Sequence, residues 1–176
     1  MHKHDLEQTL LDIDEEAELE IGPRGDRPSV VLVGGSAFIL NDLTNRSVTH
    51  DIDVFEADRC LREIMDRYPG VNGMAVAYCN QMPFNYEDRL IPLEIGAHFI
   101  RYFTPSLEDL AVMKLYAYRP NDIVDLHSRT FIDRLDWDLL ERLIFDEGEA
   151  LASSPSERSY QEMVCAYRQY KKEVLG

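Results

Sequence analysis

At the start of the chain Leu6, Leu10, Leu11, Ile13, Ala17 and Leu19 recur at roughly helical spacing among acids. That pattern predicts an amphipathic helix with a strongly negative outer face. GPRGDRP, Gly22 to Pro28, cannot continue a helix and turns the chain into the next element. SVVLV is short, apolar and β-branched, as a buried strand is. After Gly34, Gly35 and Ser36 the run Ala37, Phe38, Ile39, Leu40 has helical character, so the expected order is strand, tight turn, short helix. From Asp51 to Phe55 acid and apolar residues alternate, a period of two that marks a strand with Asp51 and Asp53 on one side and Ile52 and Val54 facing the core.

Residues 57–68 read as a helix with Leu61, Ile64 and Met65 inward and Arg59, Arg62 and Arg67 mostly outward. A strand, MAVAYC, is expected next. RLIPLEI and AHFIRYF then form a hairpin through Gly96. Ser106 with Asp109 three positions on opens a helix, LEDLAVMKLYAYR, that stops at Pro120. A second helix, NDIVDLHSRTFIDR, precedes DWDLLERLIFDEGEAL, for which Asp136 is the expected N-cap. SSPSE is a linker of breaker residues before a terminal helix that carries Arg168, Lys171 and Lys172. Together these elements predict an α+β fold: a small mixed β-sheet flanked by helices, with a helical C-terminal part. There is no internal repeat or low-complexity tract.

Composition narrows the possibilities. With 176 residues and 45% hydrophobic content, one domain spanning 1–176 is the default, its core at about residues 28–130 and a helical extension over 131–176. A net charge of -15, from 18 basic and 33 acidic residues, opposes broad nucleic-acid affinity, so any such contact must be local. Cys60, Cys79 and Cys165 form no C-x-x-C pair, which argues against a structural zinc site or a disulfide framework and fits a reducing cytoplasm. No apolar run is long enough to span a bilayer, so a soluble cytoplasmic chain without a leader is expected.

Two carboxylates at i and i+2 on a strand repel each other unless a cation sits between them, and that arrangement suits Mg²⁺. A double glycine after a buried strand lets backbone N–H groups approach phosphate, and Ser36 adds a hydroxyl donor at a helix start. Each feature alone has a plainer reading, a simple turn and a solvated strand edge. In combination they put Gly34, Gly35 and Ser36, then Arg46 and Thr49, then Asp51 and Asp53 at one end of neighbouring strands. His50, His98 and His127 carry no comparable pattern. Tyr116, Tyr118, Tyr160, Tyr167 and Tyr170 read as helix packing and Trp137 as a core anchor. A dinucleotide-binding fold is disfavoured because VVLVGGSA does not complete G-x-G-x-x-G.

GGSA followed by R-x-x-T-x-D-I-D resembles the active-site motif of the nucleotidyltransferase superfamily related to DNA polymerase beta. More closely it is similar to the bacterial branch that includes AbiEii-type toxins. LEDLAVMKLYAYRPNDIVDL, Leu107 to Leu126, resembles that branch's later signature. The resemblance implies that Ser36 contacts phosphates, Asp51 and Asp53 bind metal, Lys114 neutralises the triphosphate, and Arg119, Asp122 and Asp125 complete the site. It implies Mg²⁺ as cofactor and an NTP as donor, with a hydroxyl acceptor on a tRNA 3′ end, a protein or a small molecule. A toxin role with a cognate antitoxin protein would follow. The expected third carboxylate has three candidates, Asp88, Glu94 and Asp122, and its uncertainty leaves a second expectation, a noncatalytic nucleotide-binding or interaction module. Without the resemblance, Lys114 reads as a snorkelling lysine and Asp122 and Asp125 as helix-start acids.

Overall fold

The computed structural model describes residues 1–22, 26–73, 81–146 and 148–176. The expected strand MAVAYC lies outside the described residues. Spatial proximity gathers the chain into two compact units. The first takes in Met1–Asp42, the chain from Arg46 through Gly73, and Leu90–Thr104. The second takes in Leu43–Asn45, residues 81–89 and Pro105–Gly176. Among the described residues no helix is long and apolar enough to cross a membrane.

The first unit runs α1 (Lys3–Ile21), β1 (Ser29–Val33), α2 (Gly34–Leu40), β2 (Ile52–Ala57), α3 (Arg59–Met65), β3 (Val71–Asn72), β4 (Ile91–Pro92) and β5 (Arg101–Thr104). Its strands form one mixed sheet in the order β3-β2-β1-β5-β4. β1 pairs antiparallel with β2 and parallel with β5, β2 pairs parallel with β3, and β4 pairs antiparallel with β5. One sheet face presents Val30, Leu32, Ile52, Val54, Ala57 and Tyr102 to a core completed by α1 and α3. SVVLV is strand β1 as expected, and Leu61, Ile64 and Met65 are the buried residues of α3.

The α1 stripe differs from its sequence reading. Leu6, Leu10, Ile13 and Ala17 are buried, whereas Leu19 is 85% exposed, and the acid Asp14 is buried in their place. At about 100° per residue Leu19 lies roughly 150° from the middle of the Leu6, Leu10, Ile13 and Ala17 stripe, on the opposite side of the helix, while Asp14 lies about 70° from it, at the edge of the stripe. Asp14 is drawn into the core by the β4–β5 connection, which runs through Gly96 between two antiparallel strands as expected. Its backbone N–H groups at His98, Phe99 and Ile100 donate to the Asp14 carboxylate at 2.7, 3.0 and 2.5 Å. Charge-assisted bonds of this kind satisfy a buried turn that no strand partner reaches. Asp14→Asn, which turns one acceptor oxygen into a donor, is expected to cost about 1.5–3 kcal/mol by urea denaturation. A loss under half a kilocalorie would show that the turn holds without the charge.

The second unit contains a 3₁₀ turn at Tyr86–Arg89, then α4 (Leu107–Ala117), α5 (Pro120–Leu126), α6 (Arg129–Ile132), α7 (Trp137–Glu141), a π-helical turn at Arg142–Asp146, α8 (Glu149–Ala152) and α9 (Glu157–Leu175). Ser106 caps α4 by accepting the Asp109 N–H, and its own hydroxyl donates to the Asp109 carboxylate. Asp136 caps α7 through the Leu139 N–H, and Ser156 caps α9 through the Ser159 N–H. The single helix expected over NDIVDLHSRTFIDR is instead two. The chain breaks at Ser128, which is extended with ψ of 129° and serves as the N-cap residue of α6. Tyr167 and Tyr170 are fully buried on α9, and Trp137 stacks on Tyr170 with ring centroids 5.4 Å apart. Arg89 forks onto Asp109 at 2.8 and 3.0 Å and reaches Glu149 at 2.7 Å, tying the 3₁₀ turn to α4 and α8. Burial opposes the charge on Arg89, but the hydrogen bonds and charge of Asp109 and then Glu149 outweigh it and raise its pKa further.

Candidate functional site

In the first unit the sheet ends at a tight junction. Val33 closes β1 and is itself the N-cap of α2, so the glycine pair begins the helix without an intervening loop. Gly34 sits at φ of +66°, a conformation that L side chains rarely adopt. A Cβ there would overlap the Asp53 carboxylate, so glycine is what lets that acid lie against the backbone. At Gly35 a Cβ would meet the Arg46 guanidinium at 2.8 Å and the Thr49 hydroxyl at 2.9 Å. Gly34, Gly35, Arg46, Thr49 and Asp53 therefore converge on one turn.

Asp53 is held by its neighbours on both sides. Its N–H donates to the Ser36 hydroxyl at 3.3 Å, and its Oδ1 accepts from Asn72 Nδ2 at 2.9 Å. Ser36 is fully buried, and its hydroxyl donates to the Val33 carbonyl at 3.0 Å. The phosphate-facing hydroxyl expected of Ser36 is here an internal clip between α2 and β2. Asp51 stands just before β2, half-buried, and its carboxylate makes no hydrogen bond or ion pair among the described residues. Asp51 and Asp53 alternate with the buried Ile52 and Val54, as the period of two predicts. The donor set fits a hard divalent cation: two half-exposed carboxylates in an i, i+2 relation, one oriented and one with its oxygens unshared. Among the described residues no group of three or more His, Cys, Asp or Glu forms a closed cage. Magnesium commonly uses one or two carboxylates and takes its other oxygens from water and substrate phosphates.

Glu94 is remote from this junction. The ladder sets Pro92 opposite Phe103, which puts Glu94 near Arg101 and the Ser29 end of β1, while Asp53 faces Val33 at the other end. Four residues of strand separate those ends, roughly 13 Å. Asp88 is exposed in the 3₁₀ turn of the second unit.

The second unit brings the remaining predicted residues together around a buried ammonium. Lys114 is 5% exposed and donates to Asp122 at 3.0 Å and Asp125 at 2.7 Å. It is thus not the snorkelling lysine that its neighbours alone suggest. Asp125, fully buried, also accepts from the Thr44 hydroxyl at 2.7 Å. Arg119, the N-cap of α5, donates its N–H at 3.1 Å and its Nε at 2.8 Å to Asp122. In this cluster two cations meet two carboxylates. Burial raises the Asp122 pKa, but the Arg119 hydrogen bond and then the Lys114 charge outweigh it, so the carboxyl lies below its ordinary value. A depressed pKa makes a weak base, which favours a role for Asp122 in holding Lys114 and Arg119 over one as proton acceptor.

A family described as nucleotidyltransferases of unknown function (DUF6036) matches residues 8–175. The chain belongs to this nucleotidyltransferase family. No curated protein and no solved structure matches it. The match runs through both units of this nucleotidyltransferase chain and takes in the glycine junction, the acidic pair and the Lys114 cluster. Two contributors had no signal in the sequence pattern. Asn72 lies in a short polar stretch outside the motif, and Thr44 in a loop whose register nothing fixes.

Proposed function

We propose that this chain is a Mg²⁺-dependent nucleotidyltransferase of the polymerase-beta-like superfamily, on the bacterial branch of AbiEii-type toxins. It moves a nucleoside monophosphate from an NTP to a hydroxyl of an acceptor RNA, such as a tRNA 3′ end, or of a protein. The observation that carries this reading is the Asp53 carboxylate seated on a side-chain-free turn, with Asp51 beside it and Arg46 over Gly35. Asp51 and Asp53 would hold the cation, whose chemistry when bound is to neutralise charge on the triphosphate. Gly34, Gly35, Arg46 and Thr49 bind and orient the phosphates. The acceptor oxygen forms a bond to the α-phosphorus, pyrophosphate leaves with the electron pair of the bridging oxygen, and the hydroxyl proton passes to solvent. A cytoplasmic toxin held in check by a cognate antitoxin protein is the setting this reading favours.

The internal use of the Ser36 hydroxyl and the pairing of Lys114 with Asp122 and Asp125 favour one second reading, a nucleotide-binding module without turnover. Incubation with each α-³²P-labelled NTP, Mg²⁺ and total RNA or lysate separates the two. Label transfer by the wild type and its loss, at least 100-fold, in Asp51→Ala/Asp53→Ala is expected of the transferase. Transfer that persists in the double variant would remove the assignment of the acids. Absence of transfer with every NTP and acceptor, alongside retained NTP binding, would support the module.

A further inference from the structure

The transferase reading leaves open what orients the acid at the end of the sheet, and the sheet order supplies a residue. β2 has two neighbours, and on the side away from β1 it pairs in parallel with β3, where Asp53 is opposite Asn72. Paired residues share a face, so the two side chains meet, and Asn72 Nδ2 donates to Asp53 Oδ1 at 2.9 Å. This is the strand on which a third carboxylate beside the acidic pair could stand. It carries an amide there instead, and the sequence that follows, Gly73 to Met82, contains no acid.

We propose that Asn72 is the positioning residue of the metal-binding pair, a role that rests on the transferase reading. The Asn72 amide on Oδ1, the Ser36 hydroxyl on the backbone N–H and the bare Gly34 backbone beneath the other oxygen then all act on the Asp53 rotamer. An amide donor holds a carboxylate without adding charge. An acid at the same place would repel Asp53 until a cation arrived. The first unit in this arrangement offers two carboxylates and a neutral amide that orients one of them, and the site takes further oxygens from the nucleotide and water.

Mn²⁺ alone, followed by its EPR signal, tests this in the full chain. Wild type is expected to bind Mn²⁺, and Asn72→Ala to bind it about 10- to 100-fold more weakly, the usual effect of losing a residue that orients a metal ligand. The melting temperature of the metal-free variant should change little. Asn72→Asp is expected to melt below wild type without metal and to gain more from Mn²⁺ than wild type does, a crossover that a purely structural residue would not produce. If Asn72→Ala folds and binds Mn²⁺ as tightly as wild type, the inference is overturned and the transferase reading stands. If wild type binds Mn²⁺ no better than Asp51→Ala/Asp53→Ala, the transferase reading falls and takes the inference with it. Should Asn72→Ala not fold, the ¹⁵N spectrum of the wild type decides. Mn²⁺ is expected to broaden the Asn72 side-chain amide along with the backbone amides at that end of the sheet, and an unbroadened Asn72 signal overturns the inference.

Discussion

Gly34→Ala is expected to lower stability by about 2–5 kcal/mol and to abolish nucleotidyl transfer, while Gly35→Ala loses about 1–2 kcal/mol. The two neighbouring glycines differ in what a methyl group would meet. At Gly34 the backbone sits at φ of +66°, where a Cβ is strained in any surroundings, and the added carbon would occupy the volume of the Asp53 carboxylate. Asp53 cannot retreat without breaking its bond to Asn72 or leaving the ladder opposite Val33. At Gly35 the backbone is ordinary, and the nearest atoms are the outer ends of Arg46 and Thr49 at 2.8 and 2.9 Å, which can turn aside. Urea denaturation of both variants with the label-transfer assay checks this. Equal losses for the two, or a stable and active Gly34→Ala, would show that the acid does not depend on the bare turn.

Lys114→Met is expected to destabilise the protein by about 3–5 kcal/mol at pH 7, because it leaves Asp122 and Asp125 buried without their shared cation. The pH dependence follows from Asp122, whose folded pKa is lowered below its ordinary value near 3.8. A lowered folded pKa means that the carboxylate's stabilisation is complete above the unfolded value and is lost as pH falls through the folded one. Lys114→Met has already lost the ammonium's share of that stabilisation. The gap between wild type and variant is therefore widest near neutrality and narrows as pH falls below about 4, where protonation relieves the two acids. Denaturation midpoints at pH 7, 5 and 3.5 measure it. A gap that stays constant, or one below 1 kcal/mol at pH 7, would place the ammonium outside the cluster that holds α4 to α5.

Much of the local structure was legible along the chain. β1, α2, the inward residues of α3, and the caps at Ser106 and Asp136 follow from periodicity and from the few residues that satisfy a helix start. A helical wheel already sets Leu19 roughly 150° from the middle of the α1 stripe, but it cannot contain the burial of Asp14, which follows from three N–H groups at residues 98–100 that need an acceptor. Residues 121–134 carry a helical pattern throughout, because Ser128 is compatible with a helix and only its placement as an N-cap breaks it. Lys114 was legible as important through its motif, but a lysine among Leu110, Met113 and Ala117 looks the same whether it snorkels or is captured.

The sequence by itself determined the chemistry on offer: two acids with one residue between them, a double glycine ending a buried strand, and an excess of negative charge. These are local facts, set by residue type and spacing. Only the tertiary structure decided how the acids are presented. Val54 and Ala57 stand three apart and would point to opposite faces of a regular strand, yet both enter the core. They can because the register slips between Val31↔Glu56 and Leu32↔Val54, a bulge at Phe55 that brings Asp53 opposite Val33. A bulge is defined by the partner strand, so no reading of β2 alone contains it. For the same reason the contact of Asp53 with Asn72, 19 residues away, exists only once β3 has paired with β2.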